Sequence, residues 1–211
     1  MVRQERAEAT RNAVLRAAAD VFARCGYANA NLSEIIAQSG VTKGSLYFHF
    51  ASKEELARGV IDEGNTRVEV AGAPLRDLRD PALETMIGLS FLVTDVAAAD
   101  PIVAAMLRLQ HEIGDHRGTG ENLVEVWQRG HSDLVERAIA EGDITAEAES
   151  QAIATFIFDA LFGGRVAADA TGSVEQLPAR IENTWHFILA SMVPAEKVDY
   201  FREFTLRRSR R

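Results

Sequence analysis

The chain has 211 residues, a formal net charge of −8 at pH 7, 47% hydrophobic residues and 26% charged residues. This length suits one small and one larger domain, and the composition is typical of a globular protein rather than a disordered one. Its one cysteine excludes an intrachain disulfide, its polar start is unlike a signal peptide, and no apolar run approaches the ~20 residues of a membrane span, so we expect a cytoplasmic protein without a membrane partner.

The first predicted element is a helix over residues 5–25. Alanine, valine and phenylalanine side chains recur on neighbouring stripes at helical spacing, and Gly26 ends the pattern. Helical patterns continue along the rest of the chain, without internal repeats or the alternation typical of strands. The sequence therefore predicts an all-α fold.

A second, short helix is predicted to begin after Asn31. Asn31 and Glu34 have the spacing of a capping box, in which the asparagine oxygen accepts from the Glu34 amide and the Glu34 carboxylate accepts from the Asn31 amide. Gly40 supplies the left-handed conformation that ends a helix without a Cβ penalty. The turn that follows has the length and the glycine of a helix-turn-helix.

A third helix is predicted from Lys43 to about His49, with Thr42 as its N-cap. Leu46 and Phe50 lie four residues apart and can pack inward. Free amides and the macrodipole attract phosphates to a helix N-terminus, and recognition helices present this end to base edges in the major groove. The candidate DNA-binding residues at or near this end are Thr42, Lys43, Gly44, Ser45, Tyr47, His49 and Lys53.

The chemistry of these side chains suits a DNA backbone. Lys43 and Lys53 add positive charge, Gly44 lets the backbone approach closely, and the Tyr47 hydroxyl can donate to a phosphate. A single lysine or tyrosine is more often ordinary surface, and it is their joint placement that favours DNA. The charge is also unevenly distributed, because residues 1–56 have a net charge of +1 and the remainder −9.

The run from Gly40 to Phe50, followed by Ser52, Lys53 and residues 54–56, resembles the DNA-binding domain of the tetracycline-repressor (TetR) family of one-component regulators. In particular it is similar to the γ-butyrolactone receptors of that family. The resemblance is strong over residues 3–60 and looser beyond about residue 65. It implies an N-terminal three-helix helix-turn-helix domain over residues 1–52, and a larger helical ligand-binding and dimerisation domain over residues 53–211, with about nine to ten helices in all.

Capping signals predict the next three helices. Ser52 and Glu55 form a capping box that opens a connecting helix to about residue 70. Aspartate–proline pairs at residues 80–81 and 100–101 open the fifth and sixth helices.

The remaining signals divide the C-terminal half. Three glycines predict a loop over residues 114–120, and a seventh helix follows over residues 121–142. Thr145 is expected to cap the eighth helix, and Ser173 to open the ninth through a capping box. Pro194 separates the tenth.

Four of these helices carry more apolar and aromatic side chains than a single thin layer of helices needs for its core. We therefore expect some of them to line a cavity for a small hydrophobic ligand. By itself a tryptophan is more often a core residue. The resemblance implies a ligand contact for Trp127, because γ-butyrolactone receptors use a tryptophan at the corresponding place. The candidate ligand-binding residues are Trp127, Gln110, Thr155, Met86 and Phe158.

Two late helices could pair across a twofold axis. Small side chains and one phenylalanine share a face of the eighth helix, and large apolar side chains share a face of the ninth. Intramolecular core is the alternative, while the resemblance implies a homodimer. The residues of the two faces are Ala152, Phe156, Ala160, Gly163 and Gly164, and Ile181, Trp185, Ile188 and Met192.

We find no nucleophile motif, phosphate-binding glycine loop or metal-ligand spacing, so we expect neither an enzyme nor a cofactor or metal site. The resemblance implies a repressor that binds a near-palindromic double-stranded DNA operator as a homodimer and is released by a small lactone, furan or butenolide signalling molecule. An alternative is a TetR-type regulator that senses an antibiotic or other hydrophobic drug and controls an efflux or biosynthetic gene. A protein-only interaction module would leave Lys43 and Tyr47 without a purpose.

Overall fold

The computed structural model describes residues 2–76, 80–113, 123–145 and 149–210. Over these ranges the chain forms ten α-helices, two short 3-10 helices and no β-strand, which confirms the all-α prediction. The 3-10 helices are Ala73–Arg76 and Val174–Gln176. The α-helices are α1 (Val2–Asn29), α2 (Leu32–Ser39), α3 (Lys43–His49), α4 (Lys53–Gly72), α5 (Ala82–Ala99), α6 (Pro101–Ile113), α7 (Leu123–Ala140), α8 (Ser150–Thr171), α9 (Leu177–Met192) and α10 (Ala195–Ser209).

The chain packs as two compact units. The first consists of Met1–Ala71 with Asp95–His116, and the second of Gly72–Thr94 with Arg117–Arg211. The domain boundary that the sequence predicts between residues 52 and 53 stays a prediction.

One apolar core holds the first unit together. It contains side chains from α1, α2, α3 and α4, and also from α6, which packs along α1. Burial of this apolar surface is the main favourable contribution to folding. Members of this core are Val14, Phe22, Ile35, Leu46, Leu56, Ile102, Ala105 and Leu109.

The second unit has its own core, built from α5 and from α7 to α10. Trp185 is fully buried in it, and its indole N–H donates to the Ser90 hydroxyl at 2.9 Å. Ile181 and Ile188 lie in the same core. The predicted apolar face of α9 is therefore intramolecular core at these three residues, which is the alternative to a dimer face.

By length and composition alone, α5 is apolar enough to cross a membrane. In the structure it is a core helix of the second unit, with Leu83, Met86 and Ile87 buried. The core helix of a globular domain satisfies the same criterion, because it is apolar over most of its surface.

Several predicted helix boundaries are confirmed and two are corrected. The proline pairs open α5 and α6 as expected. Thr145 does not cap α8, which begins at Ser150; its hydroxyl instead donates to the Met192 carbonyl at 3.0 Å. Ser173 makes no capping bond and is followed by a 3-10 turn before α9 begins. The predicted loop over residues 114–120 lies outside the described residues.

Candidate nucleic-acid interface

The predicted helix-turn-helix is present in the first unit. Gly40 ends α2 in the left-handed region, with φ 68° and ψ 11°. Thr42 caps α3 by accepting from the Ser45 amide at 3.1 Å. The predicted bounds of α3 and its cap are therefore confirmed.

The capping box at the start of α2 forms only in part. Asn31 Oδ1 accepts from the Ser33 amide at 2.8 Å rather than from the Glu34 amide. The Glu34 carboxylate pairs with Arg24 of α1 instead of closing the box. A tertiary ion pair has thus replaced the predicted local contact.

The inner and outer faces of α3 differ sharply in burial. Leu46 is fully buried and Phe50, which follows the helix, is nearly so. Lys43 and Gly44 are exposed, and Tyr47 is 43% exposed. Lys43 Nζ lies 5.9 Å from the centroid of the Tyr47 ring, one turn along the helix, so a cation and a hydroxyl-bearing ring share the outer face.

Gly44 faces open space. A Cβ built at this position meets no other atom within 4 Å, so neither the local packing nor the backbone conformation requires a glycine. Close approach of a DNA backbone is one reason for a glycine at an open position of this kind.

The contacts of Lys53 differ from the DNA contact that the sequence predicts. Its ammonium donates to the carbonyls of Tyr27, Ala28 and Ala30, at 2.7, 3.3 and 3.1 Å, and lies 4.6 Å from the centroid of the Tyr27 ring. An ammonium has three donors, and all three are used within the protein. A phosphate contact by Lys53 stays a prediction that these contacts do not favour.

Phe48 is the side chain on α3 that the sequence reasoning missed. It is 81% exposed, and its ring packs edge-on against the half-buried His49 ring at 5.1 Å. The sequence did hold a signal of this exposure, because Leu46 and Phe50 are predicted to face inward and Phe48 lies two residues from each, on the opposite side of the helix. The packing of Leu46 inward is what turns Phe48 outward.

The candidate ligand-binding residues fall into different environments. Gln110 lies in the first unit, and the other four lie in the second. Met86 belongs to the second core, whereas Trp127 and Thr155 are half-buried. Phe158 is buried and stacks on the Phe162 ring, with 5.5 Å between centroids.

His131 connects two of these candidates within the second unit. Its Nδ1 lies 2.8 Å from the Trp127 carbonyl, and its ring packs edge-on against Phe158 at 5.6 Å. Burial lowers the pKa of His131, although the hydrogen bond to Trp127 opposes this. The imidazole is therefore neutral at pH 7, and donation from Nδ1 leaves Nε2 as an acceptor.

Two open grooves in the second unit have volumes of about 260 and 250 Å³. Glu182, His186 and Arg202 are among the residues that line the first, and Glu84, Phe204 and Arg208 are among those that line the second. None of the candidate ligand-binding residues lines either groove, so their role stays a prediction.

Family models match most of the chain. The model of bacterial regulatory proteins of the tetR family matches residues 14–60, and that of a tetracyclin repressor-like C-terminal domain matches residues 80–194. The first match spans the helix-turn-helix, and the second spans most of the second unit.

Individual proteins give the same result. The A-factor receptor protein of Streptomyces griseus is 30% identical over 197 residues, which are 91% of this chain and 67% of that protein. A solved γ-butyrolactone receptor (ArpA-like) is 28% identical with a TM-score of 0.83, covering 97% of this chain and 98% of that one. CprB of Streptomyces coelicolor, solved in complex with its operator sequence, is 29% identical with the same TM-score and the same coverage. The chain thus belongs to the TetR family of bacterial transcriptional regulators.

Proposed function

We propose that this chain represses transcription in the cytoplasm by binding a near-palindromic double-stranded DNA operator as a homodimer, and that a small lactone, furan or butenolide signalling molecule releases it. Residues 1–52 would contact DNA, and residues 53–211 would bind ligand and dimerise. The observation that carries the proposal is the outer face of α3, where Lys43, Gly44 and Tyr47 are exposed while Leu46 is buried beneath them.

That face has the chemistry of a major-groove reader. Lys43 supplies positive charge and Tyr47 a hydroxyl for phosphates or base edges. The open space at Gly44 admits a phosphate backbone at short distance. Exposed Phe48 adds an apolar surface of the kind that contacts a thymine methyl group.

A homodimer is supported by exposed apolar surface on two helices of the second unit. Phe156 of α8 is 53% exposed and Phe187 of α9 is 75% exposed. A Cβ added at Gly163 or Gly164 of α8 meets no atom within 4 Å, so another helix can approach closely there. Two copies related by a twofold axis can present two α3 helices to half-sites about 34–36 Å apart.

A small ligand is supported by the relatives and by the chemistry of a few side chains. Two of the similar proteins are named receptors for A-factor and for γ-butyrolactone. In the second unit, Trp127 is half-buried, and its backbone carbonyl contacts the His131 ring. In the first, Gln110 is buried, and among the described residues its Oε1 has no hydrogen-bond partner. Buried polar groups normally have one, so a ligand hydroxyl or amide is a chemically suitable partner.

Release requires a difference in ligand affinity between two conformations. The ligand-free dimer would hold both α3 helices at the operator spacing, and the ligand would favour a different spacing, transmitted through α4. Such coupling commonly amounts to ~1–3 kcal/mol, or about 5- to 150-fold in affinity.

The DNA-binding part of the proposal is tested by fluorescence polarisation with a labelled duplex from the region upstream of the chain's own gene. Lys43→Ala is expected to weaken binding about tenfold and to reduce the dependence on salt, because one phosphate contact per copy is lost. Arg210→Ala removes an exposed charge from the end of α10 and is the control, with wild-type affinity expected. Equal affinities for the wild type and Lys43→Ala would contradict the assigned role of α3.

The ligand class is tested separately by mass spectrometry of molecules that co-purify with the protein. A lactone, furan or butenolide that lowers operator affinity on re-addition would support the proposal. An antibiotic or another hydrophobic drug with the same effect would favour the drug-sensing alternative.

A further inference from the structure

The axis of α1 is broken at Gly26, three residues before the helix ends. Gly26 has φ 76° and ψ 174°, which lie outside the helical region. Such a break leaves backbone groups on both sides without their usual intrahelical partners. Within the first unit, two side chains from the last turns of α6 supply the missing partners.

These side chains are Arg108 and Glu112. Arg108 Nη1 donates to the Ala23 carbonyl at 2.9 Å, and the Glu112 carboxylate accepts from the Tyr27 amide. Arg108 Nε also donates to Glu112 Oε1 at 2.7 Å. The pair therefore joins the Ala23 carbonyl, before the break, to the first amide after it. We call Arg108 and Glu112 the latch.

Gly26 leaves the space that the latch occupies. A Cβ at this position would lie 2.6 Å from Glu112 Oε1 and 2.8 Å from Arg108 Nη2. No side chain fits there without displacing both charged groups. The glycine thus provides a backbone conformation and a close approach at the same place.

The break lies directly before the segment that leads into α2. Residues 27–30 lead from it directly into α2, and Lys53 holds three of their carbonyls. The latch fixes one side of this short segment and Lys53 the other. Apolar packing in the core shared by α1, α2, α3 and α6 does not depend on the direction of each contact. These hydrogen bonds do depend on it.

We propose that Arg108 and Glu112 are positioning residues of the DNA reader, holding the segment between α1 and α2 so that α3 is presented in one orientation. This inference rests on the proposed function. Neither residue needs to touch DNA, since both are placed on α6 and act through the backbone of residues 23–27.

The direct test is hydrogen–deuterium exchange of the free protein, without ligand or DNA. Arg108→Met keeps the apolar stem and removes every donor, and Glu112→Gln removes the negative charge at nearly constant shape. Both are expected to accelerate exchange over residues 27–39 about tenfold, because hydrogen bonds to charged groups are the strong ones. Exchange in α9 should not change. Glu203→Gln makes the same charge change in an exposed i, i+4 pair of α10 and is the control.

The second measurement is the ratio of affinities for the upstream duplex and for a mixed-sequence duplex at equal salt. A misplaced α3 loses base contacts but keeps its attraction to phosphates, so the ratio should fall about tenfold in Arg108→Met. Arg108→Lys keeps the charge but not the fork that reaches both Glu112 and Ala23, and it should give an intermediate ratio.

Unchanged exchange over residues 27–39 in both latch variants would overturn the inference. Faster exchange with an unchanged affinity ratio would mean that the latch holds the segment but does not position α3, and this would overturn the positioning role. If the wild type prefers no duplex, the proposed function fails, and the exchange result still decides whether the latch holds the segment.

Discussion

Lys43 and Lys53 lie ten residues apart, carry the same charge and have different surroundings. Lys43 is exposed above the Tyr47 ring, whereas the Lys53 ammonium is held by three backbone carbonyls at the end of α1. Desolvated charge must be compensated by hydrogen bonds, and those of Lys53 are all within the protein. At the residue scale, the carbonyls that follow the break in α1 make Lys53 a structural residue, whereas the exposed Lys43 is available to DNA.

Gly44→Ala should separate stability from DNA binding. Alanine is the better helix former by about 0.5–1 kcal/mol, and the open space at Gly44 accepts a methyl group, so the free energy of unfolding should rise by up to that amount. Operator affinity should fall about tenfold if a DNA backbone approaches closely there. Urea unfolding and fluorescence polarisation measure the two effects.

Gly130→Ala is the matched control. Gly130 lies in α7 with nothing within 4 Å of an added Cβ, so the substitution should stabilise the protein similarly without changing operator affinity. Undiminished operator binding by Gly44→Ala would mean that the space above it is not occupied by DNA.

His131 predicts a pH dependence of stability. Its pKa is lowered in the folded protein, chiefly by burial. When the pH falls below the usual histidine pKa of about 6.5, the unfolded chain therefore binds more protons at this residue than the folded protein does. The stabilising effect of neutral His131 is complete above that value and is lost as the pH falls through it towards the folded pKa. His131→Phe should flatten the urea-unfolding free energy between about pH 7 and pH 5; identical slopes in the two proteins would contradict it.

At the scale of elements, α9 has two unlike apolar faces. Ile181, Trp185 and Ile188 point into the second core, while Phe187 lies 75% exposed on another side of the helix. Phe156 is also exposed on α8, which packs against α9, and exposed apolar side chains on neighbouring helices are typical of a surface that meets another protein. We therefore place the proposed dimer face around Phe156 and Phe187.

Phe187→Glu should convert the dimer to a monomer. Burying a carboxylate twice near a twofold axis, without a partner, is strongly unfavourable. Sedimentation velocity measures the oligomeric state, and operator affinity should fall with it. Val70→Glu changes a 70% exposed apolar residue on α4 and is the control, expected to leave the oligomeric state unchanged. A Phe187→Glu protein that stays dimeric would locate the interface elsewhere.

At the scale of the whole molecule, the division of the chain by net charge does not coincide with its division into packing units. The net charge is +1 over residues 1–56 and −9 over the remainder. Packing, in contrast, assigns residues 95–116 to the same unit as the DNA-binding helices. The first unit is thus assembled from two separate stretches of chain, and the latch on α6 belongs to it.

Trp127→Ala should abolish ligand-induced release while leaving DNA binding intact. Trp127 is half-buried in α7, in the second unit, and α3 lies in the first. Isothermal titration calorimetry with the operator duplex, in the presence and absence of the co-purified molecule, measures both properties. A variant that still loses operator affinity on ligand addition would assign the sensing role to other residues.

Local sequence was sufficient for most of the fold and for the bounds of the helix-turn-helix. Gly40 and Thr42 define the ends of α2 and α3, and the proline pairs open α5 and α6 as predicted. Each of these signals acts between residues fewer than five positions apart. Their outcome therefore depends little on the rest of the chain.

Contacts between distant residues were decided by the tertiary structure alone. Glu34 pairs with Arg24, Trp185 is buried beside Ser90, and Lys53 and Glu112 bind the segment after Gly26. The partners of Trp185 and Glu112 lie 95 and 85 residues away. No helical periodicity encodes which distant backbone group a charged side chain will reach, because that depends on how whole helices pack.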